Sequence, residues 1–236
     1  MFLFWKVLLA HLVADFVFQF EGLYQLKVRS LWGHILHVLI HGVVLLLFLY
    51  PYLGNPEIWV FAAAVMIFHL IQDFIKYTLT KKIPKNTFLY FMTDQFVHVL
   101  VLGSILILPI SSEVRGFPND ALLDAVYRDN TFTLFLIFFI LLTVAGSYTI
   151  HAFYRSFVKN SRPLYGITSY EITYTLLERS IIGIIVLVTP HLLLGILLTP
   201  LVGLARLPFK KMRDRTGFLI SFSYAVLLSL CFRIVL

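Results

Sequence analysis

Long apolar runs alternate with short polar loops along the whole chain. Six runs, 2–20, 31–50, 58–78, 88–110, 132–151 and 216–236, reach the about 20 residues that an α-helix needs to cross a bilayer. Each predicts a spanning helix. A seventh apolar stretch, 180–205, is interrupted by Thr189-Pro190 and Thr199-Pro200. Proline removes a backbone donor and clashes with the preceding turn. That stretch is therefore either one kinked span or a re-entrant pair of half-length pieces. The predicted fold is all-α, a polytopic transmembrane helical bundle. Its parts are a four-helix domain over 1–110, a polar linker over 111–130 and a C-terminal membrane region over 131–236.

Loop charge orients the bundle. Lys27 and Arg29 follow the first run, Lys81, Lys82 and Lys85 the third, and Arg155, Lys159 and Arg162 the fifth. The opposite loops are poorer in base. Residues 51–57 carry none, and 111–131 sets Arg115 and Arg128 against Glu113, Asp120, Asp124 and Asp129. The positive-inside rule then places the N-terminus outside and the basic loops in the cytoplasm. Arg206, Lys210, Lys211, Arg213 and Arg215 agree with this only if 180–205 turns back at Pro190. Residues 160–175, with Arg162, Tyr165, Tyr170 and Tyr174, suit an interfacial helix or a solvated loop equally well.

Composition supports the membrane. Hydrophobic residues make up 60% of the 236 and charged residues 13%, against about 45–50% and about 25% in soluble domains. The net charge of +7 sits in short loops, as topology signals do, so nucleic acid is not an expected partner. The lone cysteine, Cys231, excludes an intramolecular disulfide and a thiolate metal site. His11 and Asp15 interrupt the first run where a signal peptide would be apolar, so an uncleaved first helix is expected.

Those two residues open the candidate chemistry. The first run carries His11, Asp15 and Gln19; the second His34, His37 and His41; the third His69, Asp73 and Lys76; the fourth Asp94, Gln95 and His98. Positions four apart share a helix face. His11/Asp15, His37/His41, His69/Asp73 and Asp94/His98 are thus four same-face pairs. Six of the eight histidines fall in these runs. His151 and His191 lie elsewhere and suit structural roles.

Counted from the cytoplasmic ends at 1.5 Å per residue, Asp15, His34, Asp73 and Asp94 sit about 5–10 Å deep. His11, His41, His69 and His98 sit about 12–17 Å deep by the same count. An intramembrane Asp or Lys costs at least about 2.5–3.5 kcal/mol and is functional by default.

Bundles build metal sites from such facing groups. Imidazole with carboxylate suits zinc first, then manganese or iron. His11, Asp15, His37, His41, His69, Asp73, Asp94 and His98 would suffice for up to two divalent ions. Asp15, Asp73 and Asp94 are also the candidate general bases. Lys76 would hold an anionic substrate group or neutralise a carboxylate. Gln19, His34 and Gln95 would support the ligands. The function expected first is metal-dependent hydrolysis of a lipid-linked or amphipathic phosphoester. A proton or cation relay uses the same residues, although the outer halves of the four runs are almost wholly apolar. A metal-free polar network in a scaffold subunit is the third reading, since a single membrane histidine is commonly a packing or hydrogen-bonding residue.

The motifs HLVADFVFQ (11–19), HLIQDFIK (69–76) and DQFVH (94–98) resemble a bacterial membrane-protein family known only as a domain of unknown function. LLERSIIG (176–183) and residues 203–206 resemble its later segments. The resemblance implies a bacterial inner membrane and carries no established activity. HxxxD pairs on helices are also similar to those of helical zinc hydrolases and of membrane proteins grouped as metal-dependent hydrolases. That likeness implies zinc and hydrolysis by analogy alone.

Overall fold

The computed structural model describes residues 1–157, 169–204 and 215–235. Lys159, Arg162, Tyr165, Arg206, Lys210, Lys211 and Arg213 lie outside the described residues, so the basic loops they were read into are not placed. Most of the 160–175 stretch lies outside them too. Among the described residues there is no β-strand. The protein is an all-α membrane protein. Among the described residues five helices are long and apolar enough to cross a bilayer, and the count rises to six if the bent pair Phe2–Val17 and Glu21–Arg29 forms one span.

The chain divides into two compact units, Met1–Ile137 with Arg155–Phe157, and Phe138–Tyr154 with Val158–Leu236. In the first, α1 (Phe2–Leu12), α3 (Leu31–Phe48), α4 (Pro56–Lys82) and α5 (Thr87–Gly103) pack in a closed ring, each touching two neighbours. The end of this ring that holds Phe2 is apolar. Leu3, Val7, Leu45, Leu49, Ile58 and Leu102 fill it. Lys6 is buried there as well and donates to Thr133 Oγ1, with its ammonium against the Phe2 and Tyr127 rings.

The first span is shorter than its apolar run. After α1 the chain winds through a π turn, Val13–Val17, and the Phe18 N–H donates to the Val13 carbonyl at 3.0 Å. The helix axis then bends by 82° into α2 (Glu21–Arg29). Residues 21–29, expected as a loop, are this second helix. It lies against the start of α3, where Gly33 lets the two backbones meet. A Cβ at Gly33 would collide with the Lys27 backbone. This corner turns Lys27 inward, and its side chain is 8% exposed.

The second unit contains α9 (Ser169–Val188), α10 (Leu192–Leu198), α11 (Pro200–Gly203) and α12 (Arg215–Val235). The span Asn130–Phe157 also carries a π turn, Leu141–Ala145, between α7 (Asn130–Ile140) and α8 (Gly146–Phe157). A π turn misaligns helix carbonyls, and buried donors take them up. Tyr224 Oη donates to Leu141 O at 2.6 Å and Arg179 Nη2 to Thr143 O at 2.9 Å. Glu178 and Arg179 are both buried, at 2% and 1% exposure. Arg179 serves this π turn.

α9 stops at Val188, before Thr189-Pro190, and Arg233 donates to the freed carbonyls of Val186, Thr189 and Pro190. Gly195 then lies beside the Thr189 side chain and the Ile185 carbonyl. A straight helix would hold residues 185 and 195 about 15 Å apart, so the chain doubles back at Pro190. The returning piece, Leu193–Gly203, is about 16 Å long, half the hydrocarbon core of about 30 Å.

Candidate metal centre

Every one of α1, α3, α4 and α5 sends imidazole or carboxylate into the middle of the ring. Asp15 is at the hub. It sits in the π turn of the first helix, where one extra residue per turn redirects the side chains. His37 and His41, one turn apart on α3, each place Nε2 at 3.1 Å from Asp15 Oδ1. His69 of α4 brings Nε2 to 3.7 Å from the same oxygen. His11 Nε2 is 3.6 Å from Oδ2.

Asp15, His37, His41 and His69 are all buried, and one ligand atom from each lies within 4.8 Å of the others. A tetrahedral zinc ion with donors at about 2.0–2.1 Å has those donors about 3.3 Å apart. The three distances from Asp15 Oδ1 to imidazole nitrogens bracket that edge length. His69 fits the same purpose from the side of hydrogen bonding. Both of its ring nitrogens are buried without a hydrogen-bond partner, and an unpaired buried polar group costs about 1–3 kcal/mol. A buried Asp/His3 group of this shape can bind a metal ion.

Charge sets Asp15 apart from the other two carboxylates. Among the described residues its ion-pair contacts are all to histidines, His11, His37, His41 and His69. Asp73 and Asp94 each have a lysine beside a histidine. Lys27 Nζ is 2.8 Å from Asp73 Oδ2 and donates to Oδ1 at 3.0 Å. Lys76 Nζ is 2.8 Å from Asp94 Oδ2 and 3.4 Å from Asp73 Oδ1. His34 Nδ1 closes the set at 2.7 Å from Asp73 Oδ2. The eight residues read as equivalent ligands therefore divide. Asp73 and Asp94 belong to a lysine-neutralised layer, outside the Asp/His3 group. Lys76 pairs with both of these carboxylates.

Lys27 is the residue that sequence reasoning missed. It was counted as a topology charge in a loop, yet it is buried on Asp73 and also donates to Gln19 Oε1 at 3.0 Å. Charge balance was the available signal. Three intramembrane carboxylates and one intramembrane lysine between 15 and 98 leave room for another cation.

His98 and His11 complete the centre. Their rings stack at 4.8 Å, and His98 also lies 4.4 Å from the His69 ring. His98 Nδ1 donates to the Asp94 carbonyl at 2.8 Å. A carbonyl only accepts, so the neutral ring carries its lone pair on Nε2. That atom and His11 Nε2 are buried without a hydrogen-bond partner. Gln95 Nε2 donates to Asp15 Oδ2 at 3.0 Å and Asp94 Oδ2 at 3.2 Å, joining the two layers. His151 and His191 fall within the other compact unit.

Residues 3–117 match the family described as "Protein of unknown function (DUF3307)". That stretch contains every residue of the centre, so the sequence resemblance to a domain of unknown function holds. No curated protein and no solved structure matches the chain.

Proposed function

We propose that the DUF3307 region of this chain is a membrane metal hydrolase. Asp15, His37, His41 and His69 hold one divalent ion, zinc before manganese or iron, and the substrate is a lipid-linked or amphipathic phosphoester. The observation that carries the ion is the lysine-free Asp15. A buried carboxylate needs a compensating cation, and three imidazole nitrogens stand around it at the spacing of a coordination shell. Bound there, a divalent ion supplies a Lewis acid and lowers the pKa of a water toward neutrality.

The protein's own residues supply the rest. His98 Nε2, unprotonated because Nδ1 is committed to the Asp94 carbonyl, accepts a proton near the centre. His11 stacks on it and offers a second nitrogen. Gln95 fixes the Asp15 carboxylate, leaving Oδ1 for the ion. A second ion would use Asp15 Oδ2, His11 and His98. Loop charge favours an N-terminus outside the cell membrane and a centre near the cytoplasmic side. The apolar packing of Leu3, Val7, Leu45, Leu49, Ile58 and Leu102 supports a blind pocket over a relay through the bilayer.

The test is metal analysis of protein purified without chelator, followed by phosphate release from a panel of lipid monophosphates and lipid pyrophosphates. Bound zinc with turnover that Asp15→Asn abolishes is the expected result. Zinc without turnover on any substrate overturns hydrolysis and leaves the ion. Absence of metal overturns both.

A further inference from the structure

The connection between the span that ends at Ile107 and the span that begins at Asn130 contains one helix, α6 (Ala121–Arg128). At about 100° per residue, Leu122, Leu123, Val126 and Tyr127 share one side of it, while Asp124 and Arg128 lie on the other. Tyr127 turns into the bundle. Its Oη donates to the Phe48 carbonyl at 2.6 Å, and its ring meets the Phe2 ring and the Lys6 ammonium. Leu122, Leu123 and Val126 are left 77%, 43% and 41% exposed. A helix with one apolar and one charged side suits the boundary between lipid and water.

We infer that α6 lies flat in the bilayer surface, with Leu122, Leu123 and Val126 seated among phospholipid acyl chains beneath the headgroups. Three span ends fix its level. Phe48 closes α3 and Phe2 opens α1. Asp129, the residue after α6, caps the next span by accepting from the Thr131 and Phe132 N–H groups at 2.8 and 3.1 Å. The segment that leads into α6 is tied to the same end, because the Phe117 ring stacks on Tyr50 and the Phe117 N–H donates to Asp124. Tyr50 and Trp59 are exposed there, as aromatic side chains at a membrane boundary are. Lipid rather than protein is the occupant, since exposed Ile107 before the connection and exposed Phe132 after it already belong to membrane-crossing helices. Apolar contact alone must hold the seat. Residues 111–131 set two arginines against four acids, so no surplus positive charge draws them to anionic headgroups. The inference is independent of an ion at Asp15.

Site-directed spin labelling tests it. Cys231→Ser removes the lone cysteine, and the full-length chain then receives one nitroxide, at Leu122→Cys, Val126→Cys or Ala121→Cys. Leu123→Cys takes the place of either of the first two if that variant is poorly folded. In phosphatidylcholine nanodiscs, the labels replacing Leu122 and Val126 are expected to collide several-fold more with molecular oxygen, which concentrates in lipid, than with a water-soluble nickel chelate. The label replacing Ala121, on the charged side, should show the reverse. Adding phosphatidylglycerol should leave that contrast unchanged. Three labels that all favour the nickel chelate would put α6 in water and overturn the proposal. Labels on the apolar side shielded from both reagents would mean that a second copy or another protein covers it, and would overturn the proposal too. So would a seat found only with anionic lipid.

Discussion

Asp15 and Asp94 share one amide, for Gln95 Nε2 donates to Oδ2 of both, at 3.0 and 3.2 Å. The carboxylate without a lysine and the carboxylate with one are thereby held in fixed register. A side chain that orients a ligand in this way is worth about 10–100-fold in metal affinity. Gln95→Leu is therefore expected to weaken zinc binding by about that factor, measured by competition with a chromophoric chelator. Gln95→Glu should weaken it too, because a third carboxylate would face the other two across the same gap.

Lys27 separates a site residue from a topology signal. Removing one partner of a buried ion pair leaves an uncompensated charge and costs about 3–5 kcal/mol. Lys27→Met should lower the denaturation temperature in detergent steeply. Combining it with Asp73→Leu removes both charges and should recover most of the loss. A Lys27 that acted only as a loop charge would give a single variant as stable as the parent.

Two glycines should respond in opposite ways. A methyl group at Gly33 meets the backbone of Lys27, which cannot move without breaking the corner between α2 and α3. Gly33→Ala should destabilise the protein by about 1–3 kcal/mol, the usual cost of overpacking, and disturb the Lys27 contact. At Gly42 the obstacle is the Met66 side chain, whose thioether has three rotatable bonds and can yield. Gly42→Ala should be tolerated. Thermal denaturation of the two variants side by side decides.

Outside the spans, Asp124 of α6 (Ala121–Arg128) accepts from Arg128 Nε at 2.9 Å and the Phe117 N–H at 2.7 Å. The Arg128 hydrogen bond, first among the causes, holds its pKa below the usual carboxylate value. A depressed acid stabilises the folded form above its unfolded pKa and loses that contribution as pH falls through the folded one. Protection of the Phe117 amide against exchange, taken relative to its intrinsic rate at each pH, should fall as the pH drops below the ordinary carboxylate range. In Asp124→Asn that acid-side loss of protection should vanish.

Periodicity and length made the spans legible, because an apolar run of 20 residues has few alternatives in water or lipid. His11, Asp15, His37, His41, His69 and His98 were also legible as a set, since spacing of four keeps side chains on one face and loop charge fixes the common depth. What spacing could not convey was the partition of charge. Asp15, Asp73 and Asp94 look alike in sequence; Lys76 pairs with the last two, and the 82° bend after Val17 brings Lys27 onto Asp73 as well, so that Asp15 alone of the three has no lysine contact among the described residues. The bend left a weak mark. Residues 21–29 read as a loop because their polar content masks a short helix, and a π turn has no sequence signature. The turn at Pro190 was foreseen as one of two outcomes, proline ending α9 as its missing donor requires.

The most direct test of the centre is X-ray absorption at the zinc edge on protein purified without chelator. Three imidazole nitrogens and one carboxylate oxygen at about 2.0–2.1 Å, with signal lost in Asp15→Asn, is the predicted spectrum. Zinc absent from the wild-type protein, or present with fewer than two imidazoles and unchanged by Asp15→Asn, would contradict it.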